Sequence, residues 1–517
     1  MDSNAVRSVR GGESLEDTRK RGVGFSVGIR KKDRQSRLQK RRQMANQANQ
    51  ETAPSQEEDS ASVFLTNADI DRIFNVIMFG QDIEETTKCM KQLRLSLARS
   101  QGSPYKRVIE TQGVLPRIVE LLGAQASPLI VESTWALTNL VSDTHEPCAA
   151  VVECNAIPPL MALLNHTVPA VVEQAIWCIS NIAGDCVDFR DQVIDAGFQQ
   201  VLCQLSVRPD VGTELHKNLV WSMSNLVRNH PSPPYHQVKC LITPIIKYLH
   251  WECYEIVLDA AWALSYFSDR SASDVPPGEE PPVQGQHLID LVSVNDGILL
   301  RRLMELVVHS DSQISTPCLR TLGNCVAGPD DICELTLNAG IIERLLILLN
   351  SELRYIRKEC CWVISNIAAG TKAQRELLCT SGLIPMVVNC LRSPFADIRR
   401  EAVWSFGNLI AHDDQYAMLK YAIDAGAVEG TCSMLETSDT NRDRKCIVVG
   451  LQFLRSCLQY GEDLGEDTNP ICLRIESCGG LDTIEDLQQT SSYNVYDFAA
   501  GLIRDFFEAD GSEDEMY

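Results

Sequence analysis

WALTNLV (135–141), WCISNIA (177–183), WSMSNLV (221–227), WALSYFS (262–268), WVISNIA (362–368) and WSFGNLI (404–410) are six versions of one phrase. A seventh, RTLGNCV (320–326), carries Arg where the others carry Trp. Their first residues lie 42, 44, 41, 58, 42 and 42 apart. The long interval holds DRSASDVPPGEEPPVQGQH (269–287), a Pro-rich acidic insertion. Removing about 16 residues there restores the period. A second phrase precedes most copies: GVLPRIVELL (113–122), AIPPLMALL (156–164), GIIERLLILL (340–349) and GLIPMVVNCL (382–391). Each unit therefore holds at least two helices. A period near 42 with this layout belongs to the armadillo/HEAT class of α-solenoid. The chain is predicted to be all-α, a right-handed superhelical solenoid of about ten armadillo repeats.

A helical wheel turns the phrase into faces. With the Trp at 0° and about 100° per residue, the residues two and five later fall at about 200° and 140°. They are Leu137, Ile179, Met223, Leu264, Ile364 and Phe406, then Leu140, Ile182, Leu226, Phe267, Ile367 and Leu409. All are apolar, so this is the core face. The residue four later falls at about 40°, beside the Trp. It is Asn139, Asn181, Asn225, Tyr266, Asn366 or Asn408. Trp and Asn thus share a face roughly opposite the core. Six of the seven Trp keep this register; only Trp251 does not. One Trp at such a place is a large core residue; six paired with Asn read as an exposed ligand surface. An Asn carboxamide can serve both the N–H and the C=O of an extended backbone. Lys or Arg stems fit between indoles, with about 0.5–2 kcal/mol of cation–π attraction each. Asp185, Asp259, Asp269, Glu359 and Glu401 add selection for cations. The expected ligand is an extended, Lys/Arg-rich segment.

The charge is divided. The 517 residues carry 47 basic against 69 acidic groups, a net of −22. Residues 1–42 hold 13 Lys/Arg and 5 Asp/Glu, +8, which leaves −30 on the remainder. The organisation read from this is a basic arm over 1–46, a flexible acidic linker over 47–66, a solenoid over 67–505 and an acidic tail over 506–517. An acidic body argues against direct nucleic-acid binding. No stretch of about 18 apolar residues predicts a membrane span. Twenty Cys without a CxxC read as buried thiols in a reducing compartment. There is no Walker A motif, HExxH or metal-spaced Cys/His set, and GVGFSVG (22–28) follows no strand. The chain reads as a non-enzyme with no cofactor and no metal.

On the ordered WxxxN series, with RTLGN and WALSY as its departures, the chain resembles the importin-α family of nuclear import adaptors. ESCGGLDTIEDLQ (476–488) resembles that family's last repeat. The resemblance implies a major peptide site at Trp135, Asn139, Gln174, Trp177, Asn181, Gly184, Asp185, Asn218, Trp221 and Asn225, with Asp259 at its rim. Asp185 takes the place of the carboxylate that pairs with the key Lys of a nuclear localisation signal. A minor site is implied at Trp262, Tyr266, Arg320, Asn324, Glu359, Trp362, Ser365, Asn366, Glu401, Trp404 and Asn408. Asp143 and Cys148 stand where the family usually has Gly and Thr, and Ala327 replaces a minor-site Thr. The arm matches the family's importin-β-binding segment through Arg30, Lys31, Lys32, Arg34, Arg37, Lys40, Arg41 and Arg42. It would compete with cargo in cis. Several Gly upstream confine its helix mainly to 29–44. Implied partners are cargo proteins with basic nuclear localisation signals, importin-β, and a nuclear export receptor for importin-α at the C-terminal repeat. Implied localisation is cytoplasm and nucleus, by shuttling. The alternative is an armadillo signalling or adhesion scaffold of the β-catenin type, which binds extended peptides of its partners.

Overall fold

The computed structural model describes residues 65–99, 102–269, 285–294, 297–411, 415–439, 442–465 and 468–507. The basic arm, nearly all of the linker, the insertion between 270 and 284, and the tail from 508 onward lie outside them. The described residues fall in two compact units, one within Lys20–Val283 and one within Gln284–Tyr517, and each is built in the same way. Among them there is no strand.

Among the described residues, an opening helix pair, Asn67–Phe79 and Ile83–Leu97, is followed by nine repeats of three helices. Val187–Asp195, Phe198–Ser206 and Thr213–Val227 form one such repeat. The expectation of at least two helices is met with one to spare, because a short first helix precedes the two that the phrases marked. The last helix of each repeat carries the WxxxN phrase where one exists. Numbering only these, with the second opening helix as the first, gives α1 Ile83–Leu97, α2 Ser127–Leu140, α3 Pro169–Asp185, α4 Thr213–Val227 and α5 Tyr254–Ser268 in the first unit. The second unit holds α6 Ser312–Val326, α7 Arg354–Ala368, α8 Ala396–Leu409, α9 Arg444–Glu462 and α10 Tyr493–Phe506. Within each unit every one of these packs on the next.

Local chemistry sets the boundaries. Pro169 opens α3, where its missing N–H costs nothing. Asp311 caps α6, its carboxylate accepting from Gln313 N at 2.8 Å. The turn between the first and second helices of a repeat needs a left-handed residue. Gly340, at φ 99°, supplies it before Ile341–Leu348. Asn155, at φ 57°, fills the same place four repeats earlier, and Asn is among the few residues that tolerate it.

The core face is where the wheel put it. Ile179, Met223, Leu264, Ile364 and Phe406 are wholly inaccessible, as are Ile182, Leu226, Phe267 and Ile367. Each such side chain contributes about 1.5–3 kcal/mol by leaving water. Leu322 and Cys325 hold the same places in the seventh copy. All twenty cysteines are free thiols, thirteen of them buried. Burial pushes the thiols of Cys178, Cys318 and Cys325 up to about 12, so they act as packing groups rather than nucleophiles. Trp251, the off-register indole, packs against His216 at 4.5 Å and Tyr248 at 5.6 Å. His216 donates to or accepts from Tyr248 Oη at 2.9 Å, and burial lowers its pKa.

Candidate peptide-binding site

The Trp and Asn side chains stand at one register on successive helices, as the period requires. They are not the exposed surface that the wheel suggested. Trp221, Trp262 and Trp362 are only 5–8% accessible, and Trp135, Trp177 and Trp404 are half-buried. Asn181, Asn225 and Asn366 are buried; Asn139, Asn324 and Asn408 are half-buried. A wheel drawn on one helix omits the helix one repeat away, and that neighbour covers the flanks. Gly323 of α6 shows how closely. A Cβ placed on it would stand 2.1 Å from the Trp362 ring of α7. The indole therefore lies over the bare backbone of the preceding helix.

The carboxamides are partly committed to the fold. Asn139 Nδ2 donates to Arg94 O at 3.0 Å and Asn225 Nδ2 to Ser180 O at 3.0 Å. Asn366 Nδ2 donates to Gly323 O at 3.4 Å and Asn408 Nδ2 to Ser365 O at 2.7 Å. Each bond runs from one numbered helix to the one before it. A carboxamide so used keeps one N–H and its oxygen for a ligand. Asn181 Oδ1 and Gln174 Oε1 on α3 are buried acceptors with no hydrogen-bond partner among the described residues. So is the donor Trp362 Nε1 on α7. At about 100° per residue, Gln174, Asn181 and Asp185 share one face of α3, within about 40° of one another.

Asp185 is the last residue of α3, and its carboxylate is 12% exposed. A helix C-terminus disfavours negative charge by about 0.3–1 kcal/mol. Its Oδ2 is held at 2.5 Å by Nδ1 of His145, which opens the first helix of the same repeat. The His145 ring in turn stacks on Phe189, with centroids 5.5 Å apart and planes at 14°. Gly184 is buried beneath Arg228, whose Nη2 donates to Gly184 O at 3.0 Å. His230 Nε2 stands 3.8 Å from Asp269 Oδ2, a second His–Asp approach at the end of a ladder helix.

Sequence reasoning missed His145, Arg228 and Arg94. The Arg94 guanidinium lies 4.1 Å above the Trp135 ring and its Nε is 2.5 Å from Glu132 Oε2. The first indole of the row thus already carries a cation from its own chain. The signal that finds these residues is the period itself. Arg94 precedes Trp135 by 41 residues and His145 precedes Asp185 by 40, so each pair is about one repeat apart.

Other expected residues need placing. Asp259 is buried, at 5% exposure, and not at a rim, because it sits one turn inside α5 with α4 packed alongside. Trp262 and Tyr266 pair as rings 5.7 Å apart, both buried, in the first unit. Asn218 is half-buried on α4. In the second unit Glu359 has Arg320 Nε at 4.0 Å and Lys358 Nζ at 3.6 Å, so its carboxylate serves two cations of its own chain. Ser365 is 1% exposed and spends its hydroxyl on Trp362 O at 2.8 Å, inside the packing. Glu401 is half-buried on α8. Cys148 is fully buried, Asp143 exposed and Ala327 half-buried. The arm residues Arg30, Lys31, Lys32, Arg34, Arg37, Lys40, Arg41 and Arg42 lie outside the described residues.

Gly323→Ala tests the Trp362 contact. Helix propensity alone would stabilise by about 1 kcal/mol. Driving a methyl into the ring costs about 1–3 kcal/mol, so net destabilisation is expected in urea unfolding, with a shifted Trp fluorescence spectrum. A more stable variant with an unchanged spectrum would place the ring elsewhere.

The comparisons agree with this architecture. Residues 144–184, 329–369 and 371–411 match the armadillo/beta-catenin-like repeat, and 469–517 an atypical Arm repeat. Residues 10–91 match the importin beta binding domain. A solved structure of an engineered protein superimposes with a TM-score of 0.69 at 22% identity, covering 84% of this chain and 98% of that one, which speaks to the fold alone. Importin subunit alpha-1b of Oryza sativa subsp. japonica is 33% identical over 430 residues, 82% of this chain and 76% of that protein. Importin subunit alpha-3 of Arabidopsis thaliana is 31% identical over 506 residues, 96% of this chain and 91% of that protein. With its repeats, its ladder and relatives matched along most of their length, the chain belongs to the importin subunit alpha family.

Proposed function

We propose that this chain binds the Lys/Arg-rich nuclear localisation signals of cargo proteins as extended segments along the ladder, and links them to importin-β through its basic arm. The coarser statement follows from the family: the chain is a nuclear import adaptor and not an enzyme. A β-catenin-type scaffold is disfavoured by that membership and by the match to an importin beta binding domain.

One observation carries the finer reading. Asn181 Oδ1 and Gln174 Oε1 are unpartnered acceptors on the face of α3 that ends in Asp185. Leaving a buried acceptor unpaired costs about 1–3 kcal/mol. An extended backbone supplies N–H groups to such acceptors, and a lysine ammonium supplies the charge for Asp185. Glu359 already faces Arg320 and Lys358, so the second unit offers a cationic ligand less net attraction. A single basic cluster therefore prefers the first unit. The same reading has the protein shuttle between cytoplasm and nucleus, with an export receptor docking at the C-terminal repeat. No described helix is long and apolar enough to cross a membrane.

Fluorescence polarisation of a labelled Lys/Arg-rich peptide tests this. The chain lacking residues 1–46 should bind it saturably, more weakly in high salt. A Glu-substituted peptide of the same length should not bind. Equal binding of both peptides, or of neither, would defeat the reading.

A further inference from the structure

We propose that His145, Asp185 and Cys186 form a site for a divalent transition-metal ion of the zinc class, and that the ion closes the major peptide site by taking its carboxylate. The second half rests on the peptide reading above; the first does not.

The His145, Asp185 and Cys186 ligand atoms all lie within 4.8 Å of one another. In a tetrahedral site with bonds of about 2.0–2.3 Å, ligand atoms stand about 3.3–3.8 Å apart. Small side-chain rotations bring this set to that spacing: the 2.5 Å His145–Asp185 contact opens and the thiol closes in.

The backbone holds the three in place. Asp185 ends α3, Cys186 is the N-cap of Val187–Asp195, and His145 opens His145–Glu153 in the same repeat as α3. Positions 145 and 186 are 41 residues apart, so two equivalent helix starts stack at one repeat's distance. The ring stacking on Phe189 restricts the imidazole. The His145 side chain is 64% exposed, which gives an ion a way in.

The donor set is one nitrogen, one oxygen and one sulfur. It suits zinc or cobalt and not magnesium or calcium, which take oxygen. The His230–Asp269 approach makes an internal contrast: Arg270 follows Asp269 where Cys186 follows Asp185, and among the described residues no third ligand completes that pair. When the ion binds, Cys186 releases its thiol proton to solvent and His145 binds as neutral imidazole; no electrons are transferred. A doubly charged cation with one carboxylate and one thiolate has no net charge. A peptide lysine then meets no anion at Asp185.

Titration of the metal-free full chain with Co2+ tests the site. One equivalent should give tetrahedral ligand-field bands with a thiolate-to-cobalt charge-transfer band, and Zn2+ should abolish both. Cys186→Ser should lose the charge-transfer band, and His145→Ala should weaken the ion by about tenfold or more, since even outer partners of ligands are worth that. Unchanged spectra in both variants would show that other thiols bind the cobalt, and the site would be withdrawn. In the same full chain, saturating Zn2+ should weaken a basic peptide about tenfold or more, reversibly with chelator. Cys186→Ser should bind the peptide as before and ignore Zn2+. If the peptide binds and Zn2+ has no effect, the closure is wrong. If no basic peptide binds with or without Zn2+, the peptide reading fails, while the cobalt spectrum still decides the metal site.

Discussion

On the proposed function, Asp185→Lys should abolish high-affinity binding of a basic peptide while leaving the protein folded. The carboxylate is 12% exposed, so water screens it poorly. Losing one partner of such a charge pair costs about 2–5 kcal/mol. The substituted ammonium adds repulsion, about 4 kcal/mol at 4 Å with an effective dielectric of about 20. The sum exceeds a thousandfold in affinity by the usual conversion of about 1.4 kcal/mol per decade. Stability moves little. Residue 185 ends α3, where a cation gains about 0.3–1 kcal/mol from the helix dipole that an anion forgoes. That gain offsets the loss of the hydrogen bond from His145, about 0.5–1.5 kcal/mol. The melting temperature should therefore stay within a few degrees while binding is lost, which separates function from folding. A folded Asp185→Lys protein that binds the peptide within a factor of a few would refute the role of this residue.

Removing residues 1–46 should raise the affinity for basic cargo about 10- to 100-fold. The arm carries Lys40-Arg41-Arg42, the same chemistry as the ligand. Twenty-four residues separate Arg42 from Asn67, and a random coil of that length would span roughly 27 Å, by about 5–6 Å × √n. Tethering at that length gives an effective concentration up to about millimolar. A competitor that binds with a dissociation constant of tens of micromolar then suppresses cargo by that factor. Adding a peptide of residues 30–42 in trans at millimolar concentration should restore the suppression. Both effects should shrink at high salt, because the arm and the body are opposite charges. Unchanged affinity after deletion would remove autoinhibition from the account.

Much of the fold could be read from the text. The period places the helices, and the positions two and five after each Trp are core, as Ile364 and Ile367 show. Those statements need only one helix and its periodicity. What could not be read lies between helices. Trp362 is buried because α6 offers Gly323 beneath it, and Asn225 is half spent because Ser180 presents a carbonyl 45 residues earlier. Glu359 looked like an open attraction for cations until Arg320, the odd member of the ladder, stood beside it. A repetitive chain hides its contacts at a lag of one period, where a local reading does not look.

Arg94 has a consequence for how a ligand is counted. A uniform row of indoles would let a basic strand settle in any of several frames, each about as good as the next. Trp135 is already taken by a cation bolted on from α1 and fixed there by Glu132. On the proposed binding mode the row therefore has a buffer stop at its first rung, and a strand laid along it would be numbered from that stop, as on a ruler whose zero is marked.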